Sequence, residues 1–173
     1  MERAYIQRGL AWRTASEPTV GVPSAGCGSL PCQVRNMRVM TGRVRQVVAA
    51  LILREGKFLI CQRTQHQPMP LKWEFPGGKI ETGEQPRDAL RRELEEELGI
   101  DARIGDEVAR IQHVYKTGSA VELRFFSVPE YHGAIENRIF REVLWADRTQ
   151  LPGYDFLDAD LQLVRDLAAG KIL

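Results

Sequence analysis

The stretch Gly78–Ile100, GKIETGEQPRDALRRELEEELGI, decides how the chain is read. Pro86 suits the first turn of a helix, where no backbone N–H is required. Gly99 suits the position just past a helix end, where a left-handed backbone is common. The residues between them predict a helix of about three to four turns. On a helical wheel Leu90, Leu94 and Leu98 form one apolar stripe that should face a core. Glu93, Glu96 and Glu97 fall together on a neighbouring arc.

Three carboxylates so close together repel one another. A divalent cation removes that penalty, and Mg²⁺ favours oxygen ligands drawn from a few carboxylates and from substrate phosphates. Without the metal, each carboxylate should push its neighbours' pKa upward. Arg92 precedes Glu96 by one helical turn and can pair with it; Arg91 can pair with Glu95 in the same way on the solvent side. Gly77 and Gly78 let backbone approach a ligand closely, and Gly83 allows a second turn. Glu84, just ahead of the helix, can reach back to the same cluster. Taken alone, a Glu/Arg-rich helix is most often a solvated face laced with ion pairs. Its full spacing separates this stretch from that case.

That spacing resembles the Nudix box, G-x5-E-x7-R-E-U-x-E-E-x-G-U, with U a bulky aliphatic residue. Gly78, Glu84, Arg92, Glu93, Leu94, Glu96, Glu97, Gly99 and Ile100 match its specified positions. The run WEFPGGKIETGE, with Gln62 and Arg63 before it, is similar to the MutT-type branch of Nudix hydrolases. The likeness spans roughly residues 45–173 and is dense over 58–100. It implies an α+β fold, an α/β/α sandwich around a mixed β-sheet. It also implies Mg²⁺-dependent hydrolysis of a (deoxy)nucleoside triphosphate, oxidised or non-standard, to the monophosphate and pyrophosphate. Mn²⁺ would substitute for Mg²⁺. The alternatives are a Nudix hydrolase for ADP-ribose or a dinucleotide, and a non-catalytic Nudix-fold binding module.

Cleaving a phosphoanhydride needs charge neutralisation, a positioned water and a base. Glu93, Glu96 and Glu97 are the expected metal ligands, with the Gly78 carbonyl as a further oxygen. Glu93 is the first choice of base by resemblance, and Arg92 and Glu84 complete the catalytic set. Lys79 and Arg63 are expected phosphate contacts. For the nucleobase the resemblance points to Phe75 and to Asp160; a carboxylate can accept from an exocyclic amino group. Asp158 or Asp160 can equally serve as the N-cap of the last helix. The family's further acidic ligand, outside the box, falls at Ile139 here, with Glu136 and Glu142 displaced from it, so no residue is assigned.

The remaining chain supplies scaffold. Val47–Leu53 is apolar on both faces and predicts a central buried strand; Phe58–Cys61 predicts its hairpin partner. Further strands are expected at Trp73–Phe75, 107–115, 120–128 and 140–146, and a closing helix at Asp158–Ala169. His66 reads as a surface histidine in the loop Thr64–Leu71.

Residues 1–44 are rich in Ser, Gly, Pro and Arg without apolar periodicity, and are expected to be a disordered extension produced by start-site choice, with Met37 and Met40 as alternative starts. The domain is expected at 45–173. A net charge of +1 argues against a nucleic-acid polymer as partner. No apolar run reaches membrane-spanning length. Cys27, Cys32 and Cys61 make no disulfide framework. The expectation is a cytoplasmic monomer or homodimer acting on a small nucleotide, with no membrane partner.

Overall fold

Strand β1 (Arg45–Arg54) organises the computed structural model, which describes residues 44–173. The extension expected at 1–44, with Cys27, Cys32, Met37 and Met40, lies almost entirely outside the described residues. Along β1, Val48, Ala50 and Ile52 enter one core while Ala49 and Leu51 enter a second core on the opposite face. Two covered faces explain why the strand is apolar without alternation.

β1 pairs in parallel with β6 (Ala120–Val128) over eight residues, from Arg45↔Val121 to Ile52↔Val128. It pairs with β2 (Lys57–Gln62) only at the hairpin end, Leu53↔Phe58 and Arg54↔Lys57. The connecting turn is left-handed at both Glu55 and Gly56, the geometry of a two-residue hairpin loop. β2 then pairs along its whole length with β8 (Glu142–Asp147) and at its far end with β3 (Trp73–Glu74). β5 (Glu107–Val114) flanks β6. The sheet order is β3-β2-β1-β6-β5, with β8 also on β2.

Where β2 leaves β1, the segment Pro76–Ile80 takes its place. Ala50 N–H donates to the Pro76 carbonyl at 2.8 Å, Val48 N–H to Gly78 at 2.9 Å, and Ile80 N–H to Gln46 at 3.1 Å. The glycine-bearing loop is thereby fixed to the central strand.

Helix α1 (Pro86–Leu98) lays Leu90, Leu94 and Leu98, all fully buried, over the Val48–Ala50–Ile52 face. Each such leucine contributes about 1.5–3 kcal/mol by leaving water. Helix α2 (Leu161–Ala168) buries Leu163, Val164 and Leu167 on the other face. The result is the expected α/β/α sandwich with a mixed sheet. Two details differ. Residues 158–160 form a turn, so the last helix starts at Leu161 rather than Asp158. A ribbon of β4 (Asp101–Arg103) and β7 (Glu130–His132), and a 3₁₀ turn at Arg148–Gly153, are additional; strands of three residues are too short to show a periodicity.

Candidate active site

The Pro76–Ile80 segment and the polar face of α1 form two walls of a cleft of about 1370 Å³ lined by Gly77, Gly78, Lys79, Arg92, Glu93, Glu96 and Glu97. The loop comes this close because its glycines lack side chains. A Cβ on Gly77 would stand 2.3 Å from the Val48 carbonyl oxygen, and Gly77 has φ +144°. A Cβ on Gly78 would stand 2.3 Å from the Glu93 carboxylate.

The three glutamates are not equivalent. Glu97 is only 7% exposed, and its Oε2 accepts from the Gly77 N–H at 3.0 Å. Burial pushes its pKa up to about 9, with smaller contributions from Glu74 and Glu93 and an opposing one from the Gly77 N–H. Desolvation, more than mutual repulsion, therefore sets its proton affinity. Glu93 is partly buried and accepts from Arg92 Nη1 at 3.0 Å. Glu96 stands largely in solvent, 3.5 Å from the same Arg92 nitrogen.

Arg92 is the hub of the site. Its Nε and Nη2 each donate to Glu84 at 3.0 Å, and Nη2 also reaches the Lys79 carbonyl at 3.2 Å. Glu84 therefore holds Arg92 with both oxygens and does not reach the cluster. Its Oε2 also accepts from Glu81 N–H, and the Arg92 guanidinium lowers its pKa. Arg91 pairs with Asp101 at 2.7 Å, not with Glu95.

The expected nucleobase and phosphate contacts are distributed differently. Phe75 is 3% exposed and packs edge-on to Phe125 and tilted against Phe156. It belongs to the core, in one cluster with Phe125 and Phe156. Asp160 is 2% exposed, and its carboxylate makes no capping bond to α2. Burial first, and then Glu74, raise its pKa well above the usual carboxylate range, with Arg63 opposing. Asp160 thus stands at the N-cap position, where its carbonyl accepts the Val164 N–H at 2.9 Å, but its side chain does not cap the helix. Arg63 is bound to Glu74 at 2.6 Å and to the Pro68 carbonyl at 2.8 Å, so its guanidinium is largely engaged within the fold. Lys79 is exposed beside the cleft. The Gly78 carbonyl accepts from Val48 N–H, which leaves one lone pair. Glu136 pairs with Arg138, and Ile139 is exposed.

Among the described residues, no three His, Cys, Asp or Glu side chains gather tightly enough to enclose an ion. The donor chemistry nevertheless fits a hard divalent cation. Glu93, Glu96 and Glu97 present carboxylates on one helical face, and Glu97 is a buried acid with no cationic partner in contact among the described residues. Mg²⁺-type ions take few protein ligands and complete their shell with water and phosphate.

A profile of the NUDIX domain matches residues 43–165. This chain belongs to the NUDIX family. As a Nudix hydrolase it carries every specified position of the box, and Nudix hydrolases generally require a divalent metal and act on small nucleotides. It is 38% identical over 124 residues to the CTP pyrophosphohydrolase of Escherichia coli K12, covering 72% of this chain and 91% of that one. It is 36% identical over 129 residues to the 8-oxo-dGTP diphosphatase of Haemophilus influenzae, covering 74% and 94% respectively. The solution structure of the E. coli ORF135 protein superposes with a TM-score of 0.67 at 36% identity, covering 75% of this chain and 92% of that one. No helix among the described residues is long and apolar enough to cross a membrane.

The sequence reading did not single out Glu74, Gln67 or Arg138. Glu74 holds Arg63, Gln67 lines the cleft, and Arg138 reaches the end of α1. These relationships are long-range in the chain or rest on loop geometry, and no local pattern announces them.

Proposed function

We propose that this Nudix hydrolase cleaves a nucleoside triphosphate, oxidised or otherwise non-standard, to the nucleoside monophosphate and pyrophosphate, using Mg²⁺, with Mn²⁺ able to replace it. The observation that carries the reading is the Glu97 carboxylate, buried in the cleft wall against Gly77 with Glu93 and Glu96 on the same helical face. The relatives named for CTP and for 8-oxo-dGTP support a triphosphate as substrate.

Glu93, Glu96 and Glu97, with the remaining lone pair of the Gly78 carbonyl, would hold the metal. When bound, it would offset phosphate charge and acidify a water. The two glycines let the phosphate chain lie against backbone. Lys79 adds a positive charge at the rim, and Arg63, though engaged, stands as a second candidate. Glu93 receives the proton of the attacking water, and Arg92, braced by Glu84, orients Glu93. The water oxygen bonds to one phosphorus of the α–β anhydride as the bridging oxygen leaves on the other, giving the monophosphate and pyrophosphate from attack at either atom. Asp160 would favour a base bearing an exocyclic amino group.

We place this activity in the cytoplasm on free nucleotides, in nucleotide-pool sanitation, by a monomer or homodimer without a membrane or nucleic-acid polymer. Residues 45–173 form the hydrolase unit, and residues 1–44 are an extension dispensable for catalysis.

The test is a panel of normal and oxidised (d)NTPs, CTP, ADP-ribose and dinucleotides with Mg²⁺, scoring pyrophosphate against orthophosphate. Pyrophosphate release from a triphosphate is expected. Glu93→Gln should lower kcat by about 10²–10⁴-fold with the fold intact. Preference for ADP-ribose or a dinucleotide would replace the substrate reading; full activity in Glu93→Gln would remove Glu93 as base.

A further inference from the structure

The last turn of α1 carries Glu95, Glu96 and Glu97 and no basic residue. That is an adverse arrangement, because the carbonyl end of a helix already bears partial negative charge. The compensating cation arrives from far along the chain. Arg138 Nη1 donates to the Glu95 carbonyl at 2.7 Å across a separation of 43 residues. The Arg138 N–H donates to the Glu97 carbonyl at 3.1 Å, and the Glu136 N–H donates to Leu98 at 2.9 Å. Two carbonyls that a helix end would leave open, those of Glu97 and Leu98, are thus closed by one short segment, and the Glu95 carbonyl, which already accepts the Gly99 N–H at 3.0 Å, gains a charged second donor.

The segment is built to hold that position. Glu136 Oε2 accepts from both Nε and Nη2 of Arg138, at 3.1 and 2.9 Å. Asn137 braces the loop through reciprocal bonds with the Phe140 backbone, both 2.9 Å, and Phe140 is buried in the core beneath α1. Gly99 provides the seat: a Cβ there would lie 2.6 Å from Arg138 Nη2. The box glycine thus supplies the φ of +69° and also leaves room for the guanidinium above it.

We propose that Arg138 is a positioning residue of the active site, fixing the last turn of α1 so that Glu96 and Glu97 present their carboxylates to the cleft. It touches neither substrate nor metal and acts through the helix backbone. The inference rests on the metal-binding reading of those glutamates.

The test uses the full chain and Mn²⁺ as probe. Binding is read by electron paramagnetic resonance without nucleotide, and kinetics are read with the best triphosphate from the panel. In Arg138→Gln, Mn²⁺ affinity and kcat should each fall about 10-fold, the scale seen when a supporting partner of a metal ligand is lost, with the nucleotide KM unchanged. Arg138→Lys should recover part of both. Glu136→Gln, which keeps the cation but loosens it, should show a smaller loss in the same direction, and it decides the matter if Arg138→Gln does not fold. Unchanged Mn²⁺ affinity in folded Arg138→Gln, alongside a large loss in Glu97→Gln, overturns the positioning role alone. Unchanged affinity in Glu97→Gln overturns the metal reading and this proposal with it.

Discussion

Arg92 and Glu84 are joined by two parallel hydrogen bonds of 3.0 Å each, Nε to Oε1 and Nη2 to Oε2, while the third nitrogen of Arg92 holds Glu93. The fork leaves Arg92 little freedom and makes it a spacer between the turn before α1 and the proposed base. Lysine offers a point charge and cannot reproduce this geometry. Arg92→Lys should lower kcat by about 10-fold or more. Because the pairs are partly exposed, unfolding stability should change by less than about 1 kcal/mol. Urea denaturation and steady-state kinetics on one preparation separate the two effects; equal kcat in both proteins would show that any cation suffices.

Gly78 tests how closely the loop and the helix are fitted. An added methyl would meet the Glu93 carboxylate well inside van der Waals contact. Gly78 does not have positive φ, so alanine there imposes no left-handed strain. Gly78→Ala should fold with a small change in Tm yet lose activity on a scale similar to Glu93→Gln, because Glu93 must move aside. A variant of wild-type activity would mean that the Glu93 position has no bearing on turnover.

The buried Glu97 makes stability depend on pH in the protein stripped of metal. Its folded pKa of about 9 lies above the ordinary 4.5. The folded state therefore keeps a proton that the unfolded chain releases. The associated stability is complete below about pH 4.5 and is lost as pH rises toward 9. In chelator, Tm should fall over that interval, and Glu97→Gln should flatten the slope. Added divalent cation should restore Tm at the alkaline end, since the ion favours the ionised form. A Tm that rises with pH in chelator would contradict this account of Glu97.

Asp160 follows the same sign for the same reason, burial. Asp160→Asn removes the ionisation while keeping the shape. It should be at least as stable as the parent at pH 8 by thermal denaturation. If the carboxylate also receives a nucleobase, the ratio of kcat/KM for CTP to that for other triphosphates should change in the variant. A constant ratio would confine Asp160 to the scaffold.

The helix carrying the glutamates was legible in the sequence because its determinants are local: Pro86 at the start, Gly99 at the end and leucines at helical spacing between. The two-sided apolarity of Val47–Leu53 likewise implied a strand covered on both faces, and α1 and α2 provide the cover. The burial of Phe75 was not legible, because an aromatic beside a glycine loop looks the same in sequence whether it is half-covered or packed against Phe125 and Phe156. Arg91 preferred Asp101, just past the helix, over a neighbour one turn along, since a strand folding back brings its charges as near as the next turn does. The bond from Arg138 to the end of α1 could not be read at all, because a pairing 43 residues apart leaves no periodic trace.

Strand β1 treats Pro76–Ile80 as though it were a neighbouring strand, through Ala50, Val48 and Ile80. The glycine loop is consequently part of the load-sharing frame and not a flap. Slow amide exchange at Val48, Ala50 and Ile80 should track whole-molecule opening rather than local breathing, so substrate must enter a wall that stands ready before it arrives.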